Sequence, residues 1–327
     1  MARPAGGVPP MSTHLVDVSG LDVRFGATHA VRDFSLAVAQ GESVGLVGES
    51  GSGKSAALLA LLGLHPEARV QVSARTLRVG GTDLLSATGP QLRDLRGGVA
   101  GLIFQDPLAA LNPLLTVGAQ VSEVLRRHRR LPARAARQEA AALLALVGIT
   151  DAQARLGHYP HEFSGGMRQR VMIATALAGQ PRLLLADEPT TALDVSVQSE
   201  IVRLILRLRA ERGMGLLWVT HDLALMAGIV DRVVVMYAGR VMETAPVDAL
   251  YGRPRHPYTQ TLLASLPRLD RPHRPRAALP AEATAPGHGA QTGCPFAPRC
   301  PRRFSACDTL PPLFTDGATQ AACWLLA

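Results

Sequence analysis

The chain has 327 residues, 47% of them hydrophobic, which is enough for one large core domain and an appendage. No uncharged apolar run reaches the ~18–20 residues that span a bilayer, and Met1 to Ser12 has no apolar signal segment, so a membrane span or secretory leader is not expected. The net charge of +8 arises largely from arginines grouped at 126–137 and 253–276, and only 4% of residues are aromatic. With so few rings to stack on bases, a solvated basic face is the better reading and no nucleic-acid partner is expected.

In chain order, Glu42 to Val47 reads as a short buried strand and Ser55 to Leu62 as an apolar helix. Between them lies Gly48-Glu49-Ser50-Gly51-Ser52-Gly53-Lys54-Ser55, a full match to the phosphate-cradling pattern G-x-x-x-x-G-K-[ST]. Strand, glycine loop and helix aim backbone N–H groups at an anion, and the glycines let the loop close round it without Cβ clashes. Lys54 is the only lysine in the chain. A compact ammonium on a flexible stem suits a place between β- and γ-phosphates, where the planar arginine fork would crowd the loop. Ser55 offers a hydroxyl to Mg²⁺.

Further on, Pro107 to Val121 reads as an apolar loop leading into a helix. Phe163-Ser164-Gly165-Gly166-Met167-Arg168-Gln169-Arg170 then opens an apolar helix running through Leu177. Ser164 and the bare backbone of Gly165 and Gly166 offer donors at its start, a second anion-recognising surface far from the first. Leu183 to Ala186 is an apolar strand ending in Asp187 and Glu188. Strand side chains alternate, so the two acids are expected to point apart, one to metal and one to water.

The glycine loop, the Ser-Gly-Gly helix start and the Asp-Glu strand end, in this order, resemble the ATP-binding cassette (ABC) ATPases. The resemblance covers about residues 15–265. It implies an α/β P-loop NTPase fold: a RecA-like parallel-sheet core, an antiparallel β subdomain near the N-terminus and a helical subdomain over about 106–178. By the same resemblance Phe25 would stack on adenine and Gln105 would contact Mg²⁺ and the attacking water. Asp187 would hold Mg²⁺ with Ser55, Glu188 would act as general base, Asp194 in Thr191-Ala192-Leu193-Asp194 would communicate across a dimer, and His221 would sense the γ-phosphate. ATP and Mg²⁺ are the implied ligands. Ser164, Gly165 and Gly166 would complete the site of a second ATPase chain in a head-to-tail homo- or heterodimer. Met167 stands where glutamine is frequent, without touching the Ser-Gly-Gly donors.

The segments 105–113, 158–170 and 256–263 are similar to those of oligopeptide and dipeptide importers, a group that also includes nickel importers. This implies an energy-coupling ATPase at the cytoplasmic face of the cell membrane. It would dock on two integral-membrane permeases and be served indirectly by an extracytoplasmic binding protein. A soluble ABC-type ATPase acting on nucleic acid and a module that binds ATP without hydrolysing it are the competing classes. The chain lacks the coiled-coil insertions of the first, and Glu188 with His221 counts against the second.

Residues 1–14 are expected to be a flexible start, and 266–293, rich in Pro, Ala, Arg and Gly, a linker. All four cysteines follow it: Cys294, Cys300, Cys307 and Cys323. A reducing compartment disfavours disulfides, and the spacing lacks the close C-x2-C pair of structural zinc sites. Cys-Pro pairs in turn-rich surroundings suit a loop-held cluster, while zinc and unliganded thiols stay open. The tail is similar to the C-terminal extension of peptide-importer ATPases, for some of which a [4Fe–4S] cluster is implied.

Overall fold

A computed structural model describes residues 14–65, 70–190, 194–266 and 292–327. The expected flexible start at 1–14 and linker at 266–293 lie outside the described residues except for His14, which opens a strand, and Leu266, Thr292 and Gly293; Thr191 to Leu193 lie outside them too.

Two sheets organise the chain. The first is antiparallel: the long strand His14–Phe25 pairs with Thr28–Ala39 on one side and with Val70–Ser73 and Thr76–Val79 on the other, and Thr82–Asp83 closes the edge. The second has eight strands. Its parallel part runs Arg232–Tyr237, Ser43–Val47, Gly215–Thr220, Leu183–Asp187 and Ala100–Ile103, with each neighbour in register. Every residue of Ser43–Val47 and Gly215–Thr220 is buried. This explains why those strands read as continuous apolar runs: a parallel sheet is covered on both faces and leaves no polar side to alternate with.

One face packs with the antiparallel sheet and helix Lys54–Ala60 around Leu46, Leu58, Leu185 and Val219. The other face carries the helical segment, whose helices Val117–His128, Ala133–Leu146 and Gly165–Ala178 pack against one another. Trp218 is fully buried in that second core. The arginines at 126–137 follow the outer surface, where Arg129 pairs with Glu139 at 2.6 Å and Arg127 with Asp94 at 3.2 Å, in keeping with a solvated charged face.

The tail is joined to the main sheet. Its strands Phe314–Asp316 and Thr319–Ala321 form a hairpin that joins the main sheet antiparallel at Arg240–Pro246, with Glu243 opposite Ala321. Cys294, Phe296 and Cys307 belong to the same hydrophobic core as the helical segment. Sequence reading set the tail apart because of the linker composition before it, but an exposed sheet edge is satisfied by any strand that can reach it.

At the amino ends of two neighbouring parallel strands, Ser43 donates its N–H and its hydroxyl to Asp231 Oδ2 at 2.7 and 2.6 Å. Partial burial pushes the Asp231 pKa up, but the Ser43 hydrogen bonds and nearby Arg209 and Arg232 more than offset it, leaving it below the ordinary value. A depressed carboxyl stabilises the fold above its unfolded pKa of about 3.9 and loses that contribution as pH falls through the folded value. Asp231→Asn is therefore expected to destabilise by ~1 kcal/mol at neutral pH, discounted for the partial exposure of the carboxylate. Denaturant melts at neutral and strongly acidic pH should show the gap to wild type closing in acid.

Candidate functional site

In an open parallel sheet ligands gather at the carboxyl ends of the strands. Four adjacent strands deliver the site there. Ser43–Val47 runs into the glycine loop, Ala100–Ile103 leads to Gln105, Leu183–Asp187 to Glu188, and Gly215–Thr220 to His221. The resulting cleft has a volume of about 740 Å³ and is lined by Glu49, Ser50, Gly51, Gly53, Lys54, Ser55, Gln105, Glu188 and His221, with Ala30, Ala56 and Leu262. That volume suits a nucleotide-sized ligand.

The loop closes tightly because of its glycines. A Cβ on Gly48 would sit 2.2 Å from the Met236 carbonyl, and one on Gly53 2.3 Å from that of Ala30, both at positive φ. Lys54 is buried and donates to the carbonyls of Gly48 at 2.8 Å and Glu49 at 3.0 Å. Burial lowers its pKa, and the charges of Glu188, Asp187 and Glu49 oppose the shift. Ser55 Oγ donates to Asp187 Oδ1 at 3.1 Å. Burial raises the Asp187 pKa; the Ser55 hydrogen bond counters it.

Glu188 is held at both oxygens. His221 Nδ1 lies 3.0 Å from Oε1, and Gln105 Nε2 donates to Oε2 at 3.2 Å. The expected reason for the two acids parting differs from the observed one. Glu188 has left the strand and sits at φ 44°, its N–H donating to Val219 O at 2.9 Å, so a left-handed turn and not the strand pleat aims it. Such a backbone costs of order 1–3 kcal/mol for a non-glycine residue and is retained where a site needs the direction it gives.

Other sequence-predicted residues lie away from the cleft. Phe25 ends its strand 39% exposed and meets His65 edge-on at 5.4 Å, and His65 Nε2 donates to Ala56 O at 2.8 Å. Ser164 caps helix Gly165–Ala178, its Oγ accepting from Met167 N–H at 3.4 Å. A Cβ on Gly165 would meet nothing within 4 Å, so that backbone faces open space. Asp194 caps helix Val195–Arg212 by accepting from Val197 N–H at 3.0 Å. Sequence reasoning missed Tyr258 and Arg299, which reach Glu49 from 209 and 250 positions away. The only signal was that both lie in motif-like runs, His256-Pro257-Tyr258 and the cysteine segment.

Residues 31–191 match the ABC transporter family, and residues 242–307 match the oligopeptide/dipeptide transporter C-terminal region. The chain is similar to a putative peptide import ATP-binding protein of Brucella abortus, at 44% identity over 94% of each chain. It is also similar to the dipeptide transport ATP-binding protein DppD of Bacillus subtilis, at 42% identity over 95% of this chain and 94% of the relative. The chain belongs to the ATP-binding subunits of the peptide-import ABC transporters. The oligopeptide transport ATP-binding protein OppD of Mycobacterium tuberculosis is 48% identical over 94% of this chain, which spans 51% of that relative. Among solved structures, the cassette MJ0796 in a dimeric post-hydrolysis state bound to ADP and Pi gives a TM-score of 0.63 at 28% identity, covering 71% of this chain and 98% of that one. This ABC subunit is thus an ATPase, the ATP-hydrolysing and energy-coupling component of an importer. No helix among its described residues is long and apolar enough to cross a membrane.

The cysteines of the ABC subunit converge as well. All four line one small pocket with His256, Pro257 and Phe296. Cys294, Cys307 and Cys323 are buried and Cys300 half-buried. Burial pushes the Cys294 thiol up to about 11, and raises Cys300 and Cys323 too. The metal centre read from the sequence is met in donor chemistry but not in ligand geometry. Among the described residues no group of three or more His, Cys, Asp or Glu is disposed to hold a metal ion. The thiols instead pack as small hydrophobes around about 10 Å³ of free space, room for roughly one water.

Proposed function

We propose that the cleft binds and hydrolyses Mg·ATP to drive uptake of di- or oligopeptides. The observation that carries the site reading is the convergence of Lys54, Gln105, Glu188 and His221 on one cleft from four adjacent strand ends. Lys54 and the loop N–H groups of Gly48 to Ser55 grip the β- and γ-phosphates. Mg²⁺ is bound through few protein oxygens plus substrate phosphates, which the Ser55 and Asp187 oxygens fit, and it would neutralise charge developing on the transferred phosphoryl group. Glu188 takes the proton of the attacking water. Gln105 and His221 hold its two oxygens so that the carboxylate faces the phosphate end of the cleft. Phe25, exposed at the end of its strand, would be the adenine-side aromatic.

Ser164 and Gly165, exposed at the start of their helix, complete with the half-buried Gly166 the site of a second ATPase chain, with Asp194 at the junction. Head-to-tail closure on two nucleotides and reopening after hydrolysis is the motion delivered. The exposed apolar residues Phe104, Leu108, Leu114, Leu115 and Tyr159 support a docking face for two membrane permeases. The subunit then works at the cytoplasmic face of the cell membrane, fed indirectly by an extracytoplasmic binding protein. The division is an ATPase domain at 15–265 with its helical subdomain at about 106–178, a linker at 266–293 and a cysteine lobe at 294–327. The test of cargo is uptake of labelled dipeptides, longer peptides and nickel by cells with and without the gene. Loss of peptide uptake is expected, and loss of nickel uptake alone overturns the peptide reading.

For the cysteine lobe we infer a [4Fe–4S] cluster in preference to zinc, taken up only with the turns moved apart, because the thiols as they stand leave room for about one water. The support is that all four thiols line one pocket and that Cys-Cys repulsion, which adds to the raised thiol pKa values, would be relieved by a cationic centre. Bound there, a cluster would cross-link the turns of the lobe. Protein purified without oxygen is expected to carry four iron and four acid-labile sulfide per chain. Four titratable free thiols with neither, or stoichiometric zinc, overturns this.

A further inference from the structure

Glu49 places an acid inside a loop built to bind polyphosphate. Its carboxylate is gripped from the other end of the chain: Arg299 Nη1 donates to Oε2 at 2.7 Å and Nη2 to Oε1 at 3.0 Å, a bidentate pair. Arg299 Nη1 also donates to Tyr237 Oη at 3.3 Å, and the guanidinium lies 5.7 Å from the Tyr237 ring centre and 5.9 Å from that of Phe296. The Glu49 backbone N–H is held too, donating to Tyr258 Oη at 3.0 Å. Tyr237, Tyr258 and Phe296 pack on one another with ring centres 4.7–5.5 Å apart, forming a rigid seat for the arginine. Arg299 itself ends the single turn Ala297–Arg299, between Cys294 and Cys300. The pocket that gathers the thiols and the loop that faces the nucleotide cleft are therefore joined through one side chain.

A fixed planar fork at this place cancels a negative charge that would otherwise repel the phosphates. We propose that Arg299 acts through Glu49, neutralising the acid of the phosphate loop and so making nucleotide affinity depend on the cysteine lobe. This rests on the cleft being the ATP site.

The test is equilibrium binding of ATP and steady-state hydrolysis with the purified full-length protein. Arg299→Gln is expected to raise Kd and KM for ATP by roughly tenfold, the loss of about one charge-assisted contact, with kcat within about twofold of wild type. Arg299→Lys should fall between, having the charge without the fork. The double variant E49Q/R299Q should return to within about threefold of wild type, since a neutral side chain needs no counter-charge. E49Q alone, which removes the acid from the loop, should bind ATP as tightly as wild type or more so, and this arm remains readable if R299Q folds poorly. An unchanged Kd in R299Q, a loss that E49Q does not rescue, or weaker binding by E49Q alone overturns the proposal and leaves the pair as a staple for the tail. Unaltered ATP binding by Lys54→Ala would instead overturn the reading of the cleft, so the two failures are distinguishable.

Discussion

Replacing Glu188 by glutamine is expected to slow ATP hydrolysis by ~10²–10⁴-fold while leaving ATP binding within a few-fold of wild type. Glutamine keeps the side chain's length and shape. Gln105 Nε2 can still donate to the amide oxygen, so the geometry set by the left-handed backbone at position 188 survives. What disappears is the capacity to accept a proton from water at the moment it attacks, an interaction made in the transition state only. Single-turnover hydrolysis alongside equilibrium ATP binding separates the two effects. Turnover near wild type would show that another group takes the proton.

Lys54→Ala produces the complementary result. A charge-assisted contact to phosphate is worth ~1.5–3 kcal/mol, so ATP affinity is expected to fall roughly 10- to 150-fold. Hydrolysis falls with it, because the same ammonium balances charge on the phosphoryl group as it moves. Lys54→Arg should not restore binding. The lysine is buried at 5% exposure among the carbonyls of its own loop, and the wider guanidinium has no room to lie between them. Calorimetric titration of ATP with both variants measures this. Affinity within threefold of wild type in the alanine variant would remove Lys54 from the phosphate site.

Local features were legible because their causes are local. The strand read at 42–47 is observed as Ser43–Val47, and the helix read at 55–62 as Lys54–Ala60. The glycines between them carry positive φ at 48, 51 and 53, as a loop closing on an anion demands. The Ser-Gly-Gly helix start is observed as a cap at Ser164, and the apolar strand before the two acids as Leu183–Asp187. The cause of Glu188's direction was misread because alternation holds only inside a strand, and the strand stops one residue earlier. The run after Gln105, read as loop before helix, contains a single turn at Pro107–Ala110 before helix Val117–His128; a lone turn carries too little periodicity to see.

The sequence by itself determined the fold class, the family and the chemistry on offer, since each rests on residue types at short fixed spacing. Tertiary structure alone decided which strand ends stand side by side, that the tail completes the main sheet, and that an arginine from the cysteine lobe grips the acid of the phosphate loop. Those relations join positions as far apart as 250 residues. Their formation is paid for by burial and pairing of the whole chain, a global balance that leaves no periodic mark on any local stretch.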